Sequence, residues 1–258
     1  MKLHVVTTTN HAGWKETGRR MALSFLSKWP EDAKLTVYAE DFEPDVDGIE
    51  VRRLPAWMDE FKAKHKDHPA AHGIVNGRPY SYTHDCVKFA HKVAALTDFA
   101  ESITDGFVVW LDADTYTHAP VLTRWLELLF PEPAYIAWLD RHNCHPECGF
   151  LLFRAAHPYH ANFMQAFRNL YTSDEVFRLR ETHDSYVLQH LVQAKVANGK
   201  IPPPKSLSGQ AYRTSHVLIN SPIGMALDHA KGNRKIEGRS RKRDLVIPRS
   251  EPYWQDVR

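Results

Sequence analysis

The segment V-V-W-L-D-A-D-T at residues 108–115 limits what this chain can fold into more than any other feature of the sequence. Its apolar run has the length of a strand that is buried on both faces of a sheet. Asp112 and Asp114 follow directly, and α/β sheets bind ligands at the carboxyl ends of their strands. Two carboxylates one residue apart on such a bend can face one hard cation and the diphosphate that it carries. The alternative is a solvated acidic turn that caps the next helix, and the preceding strand argues against it.

Strands and helices alternate through most of the 258 residues, which predicts an α/β fold with a parallel sheet in a single domain. The predicted strands are residues 3–8, 35–38, 49–51, 107–111, 134–138, 149–153 and 216–219. The predicted helices are residues 14–29, 83–100, 120–129, 158–171 and 183–196. Between them, residues 59–82 are rich in Lys, His, Gly and Pro and are predicted to form a mobile excursion.

The composition excludes several broad classes of protein. Apolar residues make up 43% and charged residues 25% of the chain, as in ordinary globular proteins. The formal net charge of +2 is too small for a protein that coats a polyanion. Three cysteines cannot form a disulfide framework, so we expect a reducing, cytoplasmic location. No apolar run approaches the roughly 18 residues of a membrane-spanning helix, and the first residues lack the features of a signal peptide.

A second candidate ligand lies in the segment D-H-A-K-G at residues 228–232. A neutral imidazole such as His229 can supply a nitrogen ligand, especially to Mn²⁺. Lys231 and Gly232 offer a phosphate partner and a close approach of the backbone. The chain contains 16 histidines, and we expect most of the others to be structural or on the surface.

These two segments resemble the metal-dependent glycosyltransferases of the GT-A type, and among them the retaining glycogenin-like group. That family has a D-x-D after a sheet strand and a late segment similar to H-x-x-G-x-x-K, which here reads H-A-K-G. The resemblance implies a GT-A-type fold, Rossmann-like, with a mixed and mostly parallel sheet flanked by helices, and it implies bound Mn²⁺ or Mg²⁺. It assigns Asp112, Asp114 and His229 to the metal, and Asp112, Lys231 and Gly232 to the donor.

Further motifs extend the resemblance in chain order over roughly residues 3–235. The family's opening strand and the aromatic residue after it imply contacts to the base and ribose from Thr7, Thr8, Asn10 and Trp14. In particular, the resemblance implies that Trp14 stacks on the base. Lys92 matches the family's lysine on the helix before the D-x-D strand. Lys88 is one helical turn earlier and is expected to share the charge of the diphosphate.

Two later segments supply candidate catalytic carboxylates. Glu147 in E-C-G matches the family's N-S-G strand, and Asp184 in H-D-S-Y matches its D-Q-x-x-x-N helix start. Either residue can act as base, nucleophile or electrostatic stabiliser opposite the departing diphosphate. The combination of D-x-D, E-C-G and H-D-S-Y is also similar to glycosyltransferases of bacteria and tailed phages.

A compact group of possible zinc ligands accompanies the E-C-G motif. Its members, His142, Cys144, His145 and Cys148, fall within seven residues. So short a segment cannot easily wrap all four side chains around one tetrahedral ion. We therefore interpret it as a loop that lines the acceptor pocket.

The resemblance implies transfer of a hexosyl or pentosyl group from a nucleotide-diphosphate sugar, with a UDP-sugar favoured, to a hydroxyl acceptor with retention. The acceptor is less constrained. Residues 231–249 carry eight basic and two acidic residues and can track a phosphate backbone. One hypothesis is therefore a hydroxymethylated DNA base, flipped out of the duplex as in phage-type DNA modification. The other is a saccharide or lipid-linked glycan. We expect a glycosyltransferase domain at residues 1–235 and a basic segment at 236–258, which with residues 59–82 closes over the donor.

Two other functions remain open from the residues alone. A nucleotidyltransferase that makes the sugar-nucleotide would favour a Gly-rich loop after the first strand, where T-T-T-N-H-A-G-W has one glycine. A non-catalytic nucleic-acid-binding protein would use the basic stretch and bind without metal. P-loop and serine-hydrolase motifs are absent from the sequence. The sequence leaves the sugar, the nucleotide and the oligomeric state open.

Overall fold

The computed structural model describes residues 1–75, 77–209, 214 and 216–256. Within them, seven strands form one sheet in the order β3-β2-β1-β4-β7-β6-β8. These strands are β1 (Leu3–Thr9), β2 (Lys34–Ala39), β3 (Glu50–Arg52), β4 (Phe107–Leu111), β6 (Ile136–Arg141), β7 (Cys144–Arg154) and β8 (Lys205–Ser206). Only β7 runs against its neighbours β4 and β6, and the other pairings are parallel. The predicted mixed, mostly parallel sheet is confirmed.

Helices cover both faces of this sheet. The longest are α2 (Arg19–Lys28), α3 (Ala56–His65), α4 (Cys86–Glu101), α6 (His160–Thr172) and α7 (Asp184–Ala197). Shorter ones are α1 (His11–Gly13), α5 (Thr123–Leu129), α8 (Val217–Asn220), α9 (Arg234–Glu237) and α10 (Pro252–Gln255), and a π-helical turn at Trp14–Gly18 joins α1 to α2. None of the described helices has both the length and the apolar character that crossing a membrane requires.

Strand β4 explains why the sheet is covered on both sides. All five of its residues are buried, and successive side chains point to opposite faces. Val109 and Leu111 belong to the core on one face, and Val108 and Trp110 belong to the core on the other. A strand that is apolar on both faces needs a helical layer on each side, which fixes β4 in the middle of the sheet.

Two local predictions are wrong. Residues 59–82, predicted to form a mobile excursion, include most of helix α3, whose Met58 and Phe61 are buried in the core. The lysines of that helix lie toward its outer face, whereas its His65 is buried. Residues 216–219, predicted as a strand, contain the start of helix α8 instead. Four apolar residues in a row are compatible with a buried helix as well as with a strand.

A separate two-stranded sheet lies next to the carboxyl end of β4. It pairs β5 (Thr115–Thr117) with β9 (Leu227–His229), and Thr115 lies opposite His229. Residues 236–256 pack behind it, since buried Asp228 accepts hydrogen bonds from Ser240 and from the Tyr253 hydroxyl. The proposed boundary after residue 235 falls inside this network of contacts. The segment is part of the folded body, and its residues 257–258 lie outside the described part.

Candidate active site

Three of the predicted metal ligands converge where β4 ends. Asp112 follows β4 directly, and Asp114 lies two residues further along the turn into β5. The β5–β9 pairing carries His229 to the same point, with its Nε2 atom 3.0 Å from Asp114 Oδ1 and 3.8 Å from Asp112 Oδ2. One ligand atom from each residue lies within 4.8 Å of the other two. Residues 115 positions apart therefore form one cluster.

Lys92 of α4 joins this cluster to Asp184 at the start of α7. Its ammonium lies 3.0 Å from Asp112 Oδ1 and 2.8 Å from Asp184 Oδ2, and it donates to the Cys148 carbonyl at 2.6 Å. These three acceptors match the three protons of an ammonium group. Burial opposes the charge, but Asp112 and Asp184 outweigh it and raise the pKa of Lys92. Lys92 is therefore a permanent buried cation between two carboxylates.

His229 joins Asp114 to Glu147 in the same way. Its Nδ1 atom lies 3.3 Å from Glu147 Oε1, near enough for an ion pair but without the angle of a hydrogen bond. Burial opposes protonation, but the carboxylates of Asp114 and Glu147 raise the pKa of His229 to about 10. Gly149 permits this contact, because a Cβ atom there would lie 2.5 Å from the imidazole Cε1.

Two lysines complete the neutralisation of Asp114 and Glu147. Lys235 lies 3.0 Å from Asp114 Oδ2, and Lys231 contacts Glu147 Oε2. Burial raises the pKa of Glu147, but His229 and Lys231 more than compensate and hold it well below its usual range. The pKa of Asp114 is likewise held low by His229 and Lys235 against burial. Both carboxylates are thus anionic at neutral pH.

The donor set fits a divalent cation. Lys92 and Trp110 occupy Asp112 Oδ1, which leaves Oδ2 toward His229, and Lys235 occupies Asp114 Oδ2, which leaves Oδ1. Each carboxylate thus offers one oxygen, and neutral His229 offers Nε2 if its proton resides on Nδ1. The Nδ1 atom then faces Glu147, as ligating histidines commonly face a carboxylate. Two oxygens and one imidazole nitrogen suit Mn²⁺ or Mg²⁺ with further oxygens from a diphosphate.

Two cavities meet at Asp112, and the buried His229 lines neither of them. One, of about 530 Å³, lies at the carboxyl end of β1, and the other, of about 900 Å³, lies between β7 and α7. Lys92 and Asp112 line both of them. Asp114 lines the smaller cavity, whereas Glu147 and Asp184 line the larger one. The D-x-D turn therefore stands between two ligand-sized spaces.

Most of the predicted donor-contacting residues line these cavities. Thr8, Asn10 and Lys88 line the smaller cavity, and Lys231 lines the larger one. Thr7 is fully buried and lines neither of the described cavities. Thr8 and Thr9 at the end of β1 line the smaller cavity, whereas Thr7 lies further back in the strand.

Trp14 and Gly232 differ from their predicted roles. Trp14 is 3% exposed, packs on Phe42 with ring centroids 5.5 Å apart, and donates its indole N–H to Asp45. Its burial leaves no ring face for a base, so it supports the start of the first helix instead. Gly232 is exposed and lines neither described cavity, but its φ of 61° is a left-handed conformation that glycine adopts without strain.

Lys235 is a site residue that the sequence reasoning missed. It lines the smaller cavity and pairs with Asp114. The signal was present, because counting from His229 places Gly232 at the fourth position and Lys235 at the seventh. The segment thus satisfies H-x-x-G-x-x-K in full, and the departure in spacing came from reading Lys231 as the motif lysine.

The compact His and Cys segment lies at the larger cavity, as interpreted. Cys144, His145 and Cys148 line it, and His142 does not. Cys148 is buried, and burial raises the pKa of its thiol. The four side chains therefore do not converge on one zinc ion.

Comparison with solved structures finds glycosyltransferases at low identity. Mouse xyloside xylosyltransferase 1 is 12% identical with a TM-score of 0.47, covering 81% of this chain and 86% of that one. GlyE of Streptococcus pneumoniae TIGR4 is 16% identical with a TM-score of 0.47, covering 81% of this chain but only 46% of GlyE. A glycosyltransferase involved in glycosylation of the major capsid of PBCV-1 is 11% identical with a TM-score of 0.44, covering 92% and 97%.

No protein-family model matches the chain, and no curated protein matches it. Because the structural matches have TM-scores below 0.5, an assignment of function depends on the residues and geometry of the site itself.

Proposed function

We propose that this protein is a metal-dependent glycosyltransferase that uses a nucleotide-diphosphate sugar. The observation that carries the proposal is the cluster of Asp112, Asp114 and His229, in which Asp112 lies at the junction of two cavities. A cation held there can contact a diphosphate in one cavity while the sugar extends toward the other. Such an ion neutralises the charge that builds up on the departing nucleoside diphosphate.

The smaller cavity is the proposed donor site. Thr8 and Asn10 at the end of β1 are positioned for the base and ribose, and Lys88 and Lys235 bring positive charge to the diphosphate. Lys92 adds a buried cation whose position is fixed by ion pairs with Asp112 and Asp184. Fixed cations that face developing negative charge in a dry site lower the barrier without reorganisation. A UDP-sugar remains the favoured donor, on the resemblance alone.

The larger cavity is the proposed site of sugar transfer. Departure of the diphosphate leaves positive charge at the anomeric carbon, and a carboxylate on the opposite face stabilises it. Glu147 and Asp184 both line this cavity, and the low pKa of Glu147 keeps it ionised for that role. We propose retention of configuration, with one of these two carboxylates acting as the stabiliser or nucleophile.

For the acceptor we propose a glycan hydroxyl rather than a DNA base. Among the described residues, six of the eight basic side chains in the stretch 231–249 form an ion pair or a hydrogen bond with an acidic or carbonyl partner. The engaged residues are Lys231, Arg234, Lys235, Arg239, Arg241 and Arg249. Ion pairs and hydrogen bonds within the chain therefore hold most of this stretch against the folded body, which favours a local site over an extended track for a phosphate backbone.

The test of the proposal is binding and turnover of nucleotides with and without metal. Thermal unfolding is measured with UDP, GDP, ADP and CDP, each with Mn²⁺ or with chelator, followed by hydrolysis and transfer assays with nucleotide sugars. We expect one nucleoside diphosphate to raise Tm only with metal, and Asp112→Asn to abolish that rise. Asp105→Asn is the matched control, because Asp105 lies at the opposite end of β4 and pairs with exposed Lys2. No metal-dependent shift with any nucleotide would remove the proposal.

Two further assays separate the alternatives. Formation of a nucleotide sugar from a sugar 1-phosphate and a nucleoside triphosphate, with release of pyrophosphate, would indicate a nucleotidyltransferase instead. Duplex DNA binding at low salt that weakens in Lys242→Ala/Arg243→Ala would restore the DNA acceptor. We expect neither result.

A further inference from the structure

The described residues contain a second cluster of possible metal ligands, separate from the D-x-D turn. It consists of His145 on β7 and of Glu181 and His183 just before α7. All three line the larger cavity. We propose that these residues form a second divalent-metal site, suited to Zn²⁺, in the wall of that cavity. It shares no ligand with the cluster of Asp112, Asp114 and His229.

The distances match a zinc site before any ion is added. Glu181 Oε2 lies 2.9 Å from His183 Nε2 and 3.5 Å from His145 Nε2. Zinc bonds of about 2.0–2.2 Å in a tetrahedral arrangement put neighbouring ligand atoms about 3.3 Å apart. Two imidazoles and one carboxylate are also a common protein ligand set for zinc, with a fourth position open.

Gln189 fixes the orientation of one ligand. Its side-chain oxygen Oε1 lies 2.6 Å from His145 Nδ1, and an amide oxygen can only accept, so Nδ1 carries the proton. In the neutral imidazole the lone pair of Nε2 then points toward Glu181. This second partner on the far nitrogen is the arrangement that surrounds ligating histidines in metal sites.

A cation is favoured between His145 and Glu181. A lone pair on Nε2 and a carboxylate oxygen 3.5 Å away repel each other unless positive charge lies between them. A metal ion at this point supplies that charge. Glu181 keeps its other oxygen, Oε1, for Arg180 Nη2 at 3.3 Å, so Oε2 alone serves the two histidines. The convergence of both imidazoles on one oxygen favours the metal.

A metal ion held by three protein ligands leaves a position for an oxygen from the cavity. On the proposed function, which this step alone assumes, that oxygen belongs to the acceptor. The ion would then help to orient an acceptor hydroxyl or phosphate, opposite the donor side of the junction. The existence of the site does not depend on that role.

The test counts bound zinc directly. Protein stripped with chelator is dialysed against Zn²⁺, and the bound metal is measured by atomic absorption, in wild type and in Asp112→Asn/Asp114→Asn. We expect the double variant to retain one zinc per chain. In that background, His145→Ala and Glu181→Gln should each weaken this binding by at least about 100-fold, and loss of the Gln189 partner by about 10-fold.

His142→Ala is the matched control, since His142 lies on the same segment but outside the cluster. It should leave the zinc count unchanged. If the double variant does not fold, the same substitutions are made in the wild-type protein. His145→Ala and Glu181→Gln should then each lower the number of zinc ions bound per chain by one. Absence of that zinc, or a zinc count that does not change in His145→Ala and Glu181→Gln, would overturn the proposal. Zinc bound here without any nucleotide-dependent response would keep this inference and remove the proposed function.

Discussion

Lys92 and His229 occupy equivalent places in the site but are held by different kinds of structure. Each cation links one carboxylate of the D-x-D turn to one candidate catalytic carboxylate, Lys92 through Asp112 and Asp184, and His229 through Asp114 and Glu147. Lys92 lies on the 16-residue helix α4, packed on the central sheet. His229 ends a three-residue strand that the C-terminal segment supports.

This difference separates a structural cation from an exchangeable one. Among the described residues, the cation nearest to Asp184 is Lys92, so the charge of this buried carboxylate is balanced chiefly by that ammonium. Asp114 and Glu147 each have a lysine besides His229. A metal ion can therefore replace the proton of His229 without leaving a carboxylate unpaired, whereas loss of Lys92 would leave Asp184 without its closest cation.

The largest expected effect follows from removing the buried ammonium. Lys92→Met leaves Asp112 and Asp184 facing each other without their cation, and breaking a buried ion pair in this way costs about 3–5 kcal/mol. Urea unfolding of the metal-free protein measures it. Lys88→Met is the control one helical turn earlier, where an exposed lysine should change the free energy of unfolding by no more than about 0.5 kcal/mol. Equal effects from the two variants would contradict a structural role for Lys92.

His229 should separate metal binding from stability. His229→Gln removes the imidazole, but Lys235 and Lys231 still face the two carboxylates, so we expect a loss of about 1–3 kcal/mol without metal. Binding of Mn²⁺, measured by calorimetry, should nevertheless weaken by at least about 100-fold, because one of three protein ligands is lost. Unchanged Mn²⁺ affinity in a folded variant would exclude His229 as a ligand.

The same contrast explains what could be predicted from the sequence. Asp112 follows from a local rule, since it comes directly after a buried strand of an α/β sheet. Lys92 was identified through the resemblance, by its place on the helix before that strand. The histidine was found through its motif, but its lysine partner was misassigned, because Lys231 is nearer in sequence while Lys235 reaches Asp114. Helix α9, which carries Lys235, is four residues long and gives no periodic signal.

Other errors have the same physical origin, which is tertiary packing. Trp14 is buried by Phe42 and bonded to Asp45, contacts across some 30 residues that a strand-and-aromatic pattern does not contain. The lysines of α3 dominate its local composition, so its buried apolar face is not apparent from the sequence. The central sheet was predictable because each of its main strands is long and apolar enough to be recognised alone. The small β5–β9 sheet was not predicted, because Thr115–Thr117 and Leu227–His229 are short and contain no apolar run.

The part of the molecule that holds His229 should also lose stability in acid, because Asp244 becomes protonated. Arg234 and the Arg241 amide hold the pKa of Asp244 at about 2, and its side chain is 5% exposed. A carboxylate with a depressed folded-state pKa contributes stability above its ordinary pKa of about 3.9 and loses it as the pH falls toward 2. Asp244→Asn should therefore cost about 1–2 kcal/mol at pH 7 and progressively less between about pH 4 and pH 2.

Urea unfolding at about pH 5 and about pH 3 measures this difference. Asp32→Asn, in an exposed turn, is the matched control and should show the same small effect at both pH values. Because Arg234 precedes Lys235 on α9, the Asp244 variant should also weaken Mn²⁺ binding, while leaving the contacts of Lys92 intact. A pH-independent loss would mean that Asp244 acts through shape rather than charge.

The smallest expected effect tests whether the C-terminal segment, which packs against β9, positions His229. The Tyr253 hydroxyl donates to buried Asp228 at 2.6 Å, next to the proposed ligand. Ser240 still satisfies Asp228 in Tyr253→Phe, so the loss in the free energy of unfolding should be only about 1 kcal/mol. Tyr80→Phe is the control, because it removes a similar hydroxyl–carboxylate bond at an exposed position and should cost less than about 0.5 kcal/mol. If the C-terminal segment positions His229, Tyr253→Phe should weaken Mn²⁺ binding several-fold, and Tyr80→Phe should not. Equal Mn²⁺ affinities in the two variants would mean that the β5–β9 pairing alone holds the imidazole, and that the C-terminal segment contributes stability without shaping the site.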